Sequence, residues 1–160
     1  MDQFDPNLPN LMQGEITSVI VRDSGFVPNL VVDPTQNFFV DVEWEIFGGQ
    51  VALYLNGADQ FWDVSVYGES IGSSPEILLG SVTKDKADTV ACTVNGPICS
   101  KYEARVTVVG SNLEEHIPGT AQSGIYKLAV AVFLNSNLGP AGFDLIGFKE
   151  GPMIQVENPI

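Results

Sequence analysis

Basic residues are scarce in this chain. Only 7 of its 160 residues are Lys or Arg, against 20 Asp or Glu, and the net charge is −13. Proteins that bind nucleic acid or anionic membranes neutralise phosphates with Lys and Arg, so this balance argues against nucleic acid and membranes as partners. The charged fraction of 17% is also below the about 25% usual in globular domains. It favours a surface that is partly covered by a partner or by a second copy.

The sequence also lacks the motifs of common enzyme classes. It has one histidine, His116, and no glycine-rich phosphate loop, Gly-x-Ser-x-Gly elbow or His-Glu-x-x-His pattern. Without such an anchor, the sequence favours a non-enzymatic protein, and we expect no cofactor and no catalytic residue. The enzyme alternative is a small acidic β-sandwich enzyme that uses carboxylates with His116 or a tyrosine.

Long apolar runs are absent too. None approaches the roughly 20 residues needed to cross a bilayer, and the first residues do not show the charged start and apolar stretch of a secretory signal. No window of helical length carries an apolar stripe at helical spacing. We expect an N-terminal arm over residues 1–14, ordered only if something holds it, and a single domain over 15–160.

What the sequence does contain is strict alternation of apolar and polar residues. In the segment 124–134, alternate residues are large and apolar, and the same period of two recurs at 37–47, 61–67 and 98–109. Successive side chains of a strand point to opposite sheet faces, so these segments predict half-buried antiparallel strands. With turn signals between them, the predicted strands are 15–22, 36–47, 50–55, 61–67, 76–83, 88–94, 98–109, 124–134 and 151–157.

One strand carries a more specific pattern, Gly-x-Tyr-x-Leu-x-Val, here Gly124, Tyr126, Leu128 and Val130. It resembles the penultimate strand of immunoglobulin-like and fibronectin type III-like sandwiches, and the resemblance is strongest over residues 100–158. It implies an all-β antiparallel sandwich of about eight or nine strands, with a jelly roll as the competing architecture. It also implies a tyrosine corner, in which Tyr126 hydrogen-bonds back to the chain upstream. It implies no function.

Cys92 and Cys99 flank a turn at Asn95-Gly96. In a hairpin closed by this turn the two cysteines lie opposite each other, which favours a disulfide over two reduced thiols. A disulfide would be consistent with an extracellular protein, although the compartment stays open. The spacing does not match a CxxC redox pair, and a single histidine in the chain argues against zinc.

Three carboxylates, Asp41, Glu43 and Glu45, alternate with the apolar residues of strand 37–47. They share one sheet face at intervals of about 6.8 Å, twice the strand rise. We interpret this row of carboxylates as a solvated sheet face that resists aggregation, and a calcium site is the alternative.

A candidate ligand-binding surface consists of Tyr54, Phe61, Asp63 and Tyr67, because rings and carboxylates together are typical of carbohydrate-binding surfaces. Trp62 is instead expected in the core with Val64 and Val66. The preferred function is a binding or assembly module that recognises a protein partner or itself, with a carbohydrate-binding module or an enzyme as alternatives. Its apolar contact surface is expected to include the outward-facing residues Phe39, Phe47, Ile125 and Phe133.

Overall fold

The chain folds into strands that form two facing sheets. The computed structural model describes residues 2–72, 76–113, 124–135 and 144–157. Within these residues one short α-helix, α1 (Val51–Tyr54), and one 3-10 turn (Gly110–Asn112) are present. The strands are β1 (Phe4–Asp5), β2 (Gln13–Arg22), β3 (Val31–Val32), β4 (Phe38–Phe47), β5 (Phe61–Ser70), β6 (Ile77–Asp85), β7 (Cys99–Val108), β8 (Ile125–Leu134) and β9 (Leu145–Val156).

The larger sheet has the order β1-β9-β8-β5-β6, with β3 beside β9, and the smaller sheet has the order β2-β4-β7. The pairs are antiparallel apart from the short β3–β9 pair. The prediction of an all-β antiparallel sandwich is therefore confirmed, with nine strands in the part of the chain that the structure describes.

The alternation in the sequence sets which side of each strand is buried. Every second residue of β4, from Phe38 to Ile46, is buried, and so is every second residue of β8, from Tyr126 to Leu134. Trp62, Val64 and Val66 of β5 are fully buried, which confirms their assignment to the core. The apolar faces of the two sheets thus form one core, as in other sandwiches of two sheets.

Four aromatic rings form the centre of this core, and we call them the aromatic quartet: Phe4, Trp44, Trp62 and Tyr102. Trp44 of the smaller sheet contacts Trp62 of the larger sheet edge to face, with ring centroids 5.6 Å apart. Tyr102 stacks on Trp44 at 5.5 Å, and Phe4 meets Trp62 at 5.8 Å. The quartet therefore joins β1, β4, β5 and β7 across both sheets.

The N-terminal segment is held against the sandwich by Phe4. This residue pairs with Gly147 of β9, and its side chain is only 2% exposed. A Cβ on Gly147 would overlap the Phe4 ring, and a Cβ on Gly14 would lie 2.8 Å from its Cγ. The two glycines leave the space that the ring occupies, so the packed body of the protein extends into residues 1–14.

Two predicted strands are wrong. Residues 50–55 form the single turn α1 in place of a hairpin strand, because Val51, Tyr54 and Leu55 reach the core at helical spacing. A short apolar run does not distinguish the two structures by its period. Residues 88–94 form only one bridge, between Val90 and Lys101. The closing strand is longer than predicted and starts at Leu145. His116 and the segment upstream of Tyr126 lie outside the described residues.

Replacing Trp62 by Ala should lower the free energy of unfolding by about 3–5 kcal/mol, because it leaves a cavity among three other rings. Urea denaturation followed by circular dichroism measures this loss. Phe61→Ala, on the neighbouring exposed position of the same strand, is the matched control and should change stability far less. Equal losses in the two variants would contradict the assignment of Trp62 to the centre of the core.

Candidate functional site

The two outer faces of the sandwich differ in chemistry. The outer face of the smaller sheet is charged, and it carries the predicted carboxylates Asp41, Glu43 and Glu45. The outer face of the larger sheet combines large apolar side chains with carboxylates, and it carries Phe61, Asp63 and Tyr67.

Asp41 is held between Arg22 and Arg105, the only two arginines of the chain. Arg22 Nε donates to Oδ2 at 2.7 Å, and Arg105 Nε donates to Oδ1 at 2.7 Å. The hydrogen bond from Arg105 lowers the pKa of Asp41, burial opposes this, and Arg22 lowers it further. Arg105 also lies 4.7 Å from the centre of the Phe26 ring, which stacks on Phe39. Phe39 is thus covered by a loop of its own chain.

Glu43 shares a lysine with a neighbour. Lys101 Nζ lies 3.6 Å from Glu43 Oε2 and 3.8 Å from Glu103 Oε1. The lysine side chain is only 5% exposed, and it also donates a hydrogen bond to Thr93 Oγ1 at 3.1 Å. Its charge is therefore offset by two carboxylates and one hydroxyl.

Glu45 is fully buried beneath the loop that precedes β7. Asn95 N–H donates to Oε1 at 2.8 Å, while the N–H groups of Thr93 and Val94 donate to Oε2, each at 3.3 Å. Burial on its own would raise the pKa of Glu45, but these hydrogen bonds outweigh it and the pKa is lowered. The carboxylate therefore acts as an ionised anchor for three successive peptide groups.

A disulfide between Cys92 and Cys99 closes this loop, with the Cα atoms 6.2 Å apart. Cys92 does not lie on a paired strand as the hairpin interpretation required, so the disulfide ties a loop to β7. Within the described ranges, the only group of three or more potential metal ligands is Glu45, Cys92 and Cys99. Asp41 and Glu43 do not join Glu45 in such a group.

An open groove of about 390 Å³ lies between this charged face and β6, lined by Asp41, Glu43, Glu103 and Arg105 among others. A carboxylic acid that donates a proton near neutral pH needs a raised pKa, whereas the pKa values of Asp41 and Glu45 are lowered. Asp41 and Glu45 are therefore not suited to that role, and each is bound by groups of its own chain.

On the larger sheet, three of the four predicted ligand-binding residues share a face. Phe61, Asp63 and Tyr67 alternate with the buried residues of β5 and point outward. Tyr54 does not join them, because it lies on α1 and is buried against the core at 5% exposure. Its inclusion in the site is therefore wrong, and the cause is the misassigned strand 50–55.

Neighbouring strands add further apolar side chains to this face. Asp63 lies beside Phe133 of β8, and Phe133 lies beside Ile146 of β9. One row further along, a second set crosses the sheet: Ser65, Ala131 and Phe148. We use the name aromatic face for the five large side chains on this outer surface, which are four rings and one isoleucine: Phe61, Tyr67, Phe133, Phe148 and Ile146. Small residues form the floor between them: Ser65, Ala129 and Ala131.

Two shallow depressions lie at the ends of the aromatic face. One, of about 440 Å³, is lined by Asp59, Phe61, Asp63, Thr83 and Asn135. The other, of about 140 Å³, includes Tyr67, Phe148, Lys127 and Glu150 in its lining.

Carboxylates surround the aromatic face, and among the described residues few of them form an ion pair with Lys or Arg. Asp63, Glu69, Asp85 and Glu150 are exposed on these strands. Lys127 pairs with Glu150 at 2.7 Å, and it is the one lysine or arginine on the outer positions of β5 and β8 in the described residues. The surroundings of the aromatic face are therefore acidic.

Ile146 and Phe148 were missed by the sequence analysis because the closing strand was predicted to begin only at residue 151. The positions that alternate with Ile146 and Phe148 are Leu145, Gly147 and Lys149. Glycine and lysine at two of these positions break the apolar pattern of a strand. Phe4 fills the space above Gly147, so a buried position without a side chain broke the apolar pattern.

No protein-family model and no curated protein matches this chain. Among solved structures, the crystal structure of the C-terminal domain of wzt is similar to it, with 8% sequence identity and a TM-score of 0.49. The match covers 92% of this chain and 75% of that one. In the described ranges, none of the helices has the length and apolar character required to span a membrane.

Replacing Asp41 by Asn should destabilise the protein at neutral pH and make its stability less sensitive to acid. The pKa of Asp41 in the folded protein lies below 3.8, so its carboxylate adds stability above that value, and this stability is lost as the pH falls through the folded-state pKa. Urea denaturation at several pH values should show the largest difference from the wild type near neutral pH. Asp63→Asn removes an exposed carboxylate and is the control. A difference that stays constant into strong acid would contradict this role of Asp41.

Proposed function

We propose that the protein is a non-enzymatic binding module that recognises a protein partner through the aromatic face of its larger sheet. The observation that carries this proposal is the exposure of large apolar side chains on outward positions of the larger sheet, where Ile146 and Phe148 follow each other on β9. Phe61, Ile146 and Phe148 are 46%, 47% and 46% exposed. Outward positions of a half-buried sheet are normally polar, and contiguous exposed apolar groups are typical of interaction sites.

The contrast with the smaller sheet supports this assignment. Its outer face satisfies its own charges, with Asp41 bound to both arginines and Glu45 bound to the loop amides. The larger sheet has no such internal network over Phe133, Ile146 and Phe148 among the described residues. Aromatic side chains on a rigid sheet bury large areas with little loss of conformational entropy.

Charge favours a different protein over a second copy as the partner. Each chain carries a net charge of −13, and the residues around the aromatic face include Asp63, Glu69 and Asp85. Two such faces would place like charges opposite each other, which opposes association. A partner with apolar side chains flanked by Lys and Arg would complement both the centre and the rim.

A carbohydrate ligand is the second candidate. The depression of about 440 Å³ combines the ring of Phe61 with the polar side chains of Asp59, Asp63, Thr83 and Asn135. Rings and hydrogen-bonding groups together fit a sugar, which stacks one face and hydrogen-bonds its hydroxyls.

We also propose that the sandwich is of the fibronectin type III-like kind. With β2, β4 and β7 taken as strands A, B and E, and β9, β8, β5 and β6 as G, F, C and C′, the sheet orders A-B-E and G-F-C-C′ correspond to that fold. The adjacent hairpin pairs β5–β6 and β8–β9 favour it over a jelly roll. The disulfide supports an oxidising compartment, such as the extracellular space.

The binding proposal is tested by selecting peptides from a phage-displayed random library on the immobilised protein. The selected peptides should carry aromatic or aliphatic residues flanked by Lys or Arg, and their affinity should fall with salt. Phe148→Ser should weaken binding about 30-fold, the effect of losing about 2 kcal/mol at a central contact. Fluorescence anisotropy with a labelled selected peptide measures the dissociation constants.

Leu53→Ser is the matched control, because Leu53 is 47% exposed but lies on α1, away from β5, β8 and β9. It should leave the dissociation constant unchanged. Peptides that bind Phe148→Ser as tightly as the wild type would contradict the proposal. Light scattering that shows a dimer lost in Phe148→Ser would favour self-association instead. Chemical-shift changes at Phe61 and Asp63 on addition of sugars would favour the carbohydrate candidate.

Tyr126→Phe should lower the free energy of unfolding by about 1 kcal/mol, because it removes the buried hydroxyl that a tyrosine corner hydrogen-bonds to the upstream chain. Tyr126 is only 3% exposed. Thermal and urea denaturation measure the loss. Tyr67→Phe removes the hydroxyl of a more exposed tyrosine and serves as the control. An unchanged stability of Tyr126→Phe would contradict the tyrosine corner.

A further inference from the structure

A second candidate site lies on the opposite side of the sandwich, where Glu45 meets the disulfide. Glu45 lies on β4 and Cys99 on the adjacent strand β7, so the sheet fixes both, while Cys92 arrives from the loop. The nearest ligand atoms of all three residues lie within 4.8 Å of one another. Carboxylate oxygen and thiolate sulfur are both ligands of zinc.

The spacing of Cys99 and Glu45 fits a shared metal ion. Cys99 Sγ lies 3.4 Å from Glu45 Oε1. A disulfide sulfur carries no proton, so this is a contact and not a hydrogen bond. In a tetrahedral site with Zn–S of about 2.3 Å and Zn–O of about 2.0 Å, the sulfur and the oxygen are about 3.5 Å apart. These two groups therefore already have the separation of neighbouring zinc ligands.

Cys92 is close enough to Cys99 for both sulfur atoms to bind one ion. The Cα atoms of Cys92 and Cys99 are 6.2 Å apart, towards the wide end of the usual range of about 4.4–6.8 Å. Two thiolates on one zinc lie about 3.8 Å apart, as two Zn–S bonds of about 2.3 Å at a tetrahedral angle require. Cys92 belongs to the loop and not to a strand, so its side chain is the one free to adjust.

The electrostatic surroundings favour a cation. Glu15 accepts a hydrogen bond from Asn95 Nδ2 at 2.9 Å, and Glu43 and Glu103 lie further along β4 and β7, the strands that carry Glu45 and Cys99. Lys101 is the one lysine or arginine that the structure places among these carboxylates. Three backbone N–H groups hold the Glu45 side chain in place. A ligand fixed in this way loses little conformational freedom on binding a metal.

We propose that reduction of the Cys92–Cys99 disulfide converts this corner into a binding site for Zn²⁺ or another thiophilic divalent cation, with Cys92, Cys99 and Glu45 as the protein ligands. A dithiol reductant supplies two electrons and two protons, the S–S bond breaks to give two thiols, and the reductant becomes a disulfide. Binding of the metal forms two metal–sulfur bonds and one metal–oxygen bond and releases the two thiol protons. Water occupies the fourth position.

Co²⁺ titration of the protein reduced with a phosphine, under anaerobic conditions, tests the proposal. One Co²⁺ per chain should bind and give the near-ultraviolet sulfur-to-cobalt charge-transfer band together with intense visible bands of a tetrahedral site, and Zn²⁺ should displace it. The oxidised protein should give neither signal. Cys99→Ser should abolish the charge-transfer band, and Glu45→Gln should weaken binding at least about 10-fold.

Asp41→Asn removes a carboxylate of the same sheet face that the site does not use, so it should bind Co²⁺ as the reduced wild type does. Circular dichroism shows whether each variant is folded. If Glu45→Gln does not fold, Glu45→Asp tests the carboxylate by shortening it, and Cys92→Ser tests the second thiolate. Absence of the charge-transfer band from the reduced wild type would overturn the proposal. Equal Co²⁺ affinity in the wild type and the Glu45 variant would overturn the role of Glu45.

Discussion

The contact between Trp44 and Trp62 is the constraint on which the rest of the structure depends. It joins the two sheets at a centroid distance of 5.6 Å, and Tyr102 and Phe4 enclose it. Because strand side chains alternate, fixing Trp62 inward fixes Phe61 and Asp63 outward, and fixing Trp44 inward fixes Glu43 and Glu45 outward. This buried contact thus determines which residues of β4 and β5 lie on the outer faces.

The sequence predicts the strands correctly wherever apolar residues alternate with polar residues without a break. Residues 38–47 and 125–134 were read correctly, and so was the burial of Trp62. The alternation does not predict a strand where another part of the chain fills the place of a side chain. Gly147 is buried beneath Phe4, so the predicted strand starts after Ile146 and Phe148, which belong to it. The alternation fails again at Val51–Tyr54, where an apolar run is equally compatible with one helical turn.

The candidate sites were less predictable than the fold, because each depends on residues distant in the chain. The ladder of Asp41, Glu43 and Glu45 was visible in the sequence, but its partners were not. Arg105 lies 64 residues from Asp41, and Asn95 lies 50 residues from Glu45. Carboxylates that looked alike in one strand therefore differ in role: Asp41 binds arginines, while Glu45 organises a loop.

The two outer faces differ in how far their side chains are paired or covered by the rest of the chain. On the smaller sheet, charged groups find partners within the chain, and the loop at Cys92–Cys99 covers Glu45. On the larger sheet, Phe133, Ile146 and Phe148 lie side by side with a floor of Ser65 and Ala131, and no loop within the described residues covers Phe148 or Ile146. The chain thus uses three peptide groups to bind one buried carboxylate on the smaller sheet, while Ile146 and Phe148 of the larger sheet stay about half exposed and Phe133 is partly buried. The second face is consistent with a surface that reaches its lowest free energy in a complex.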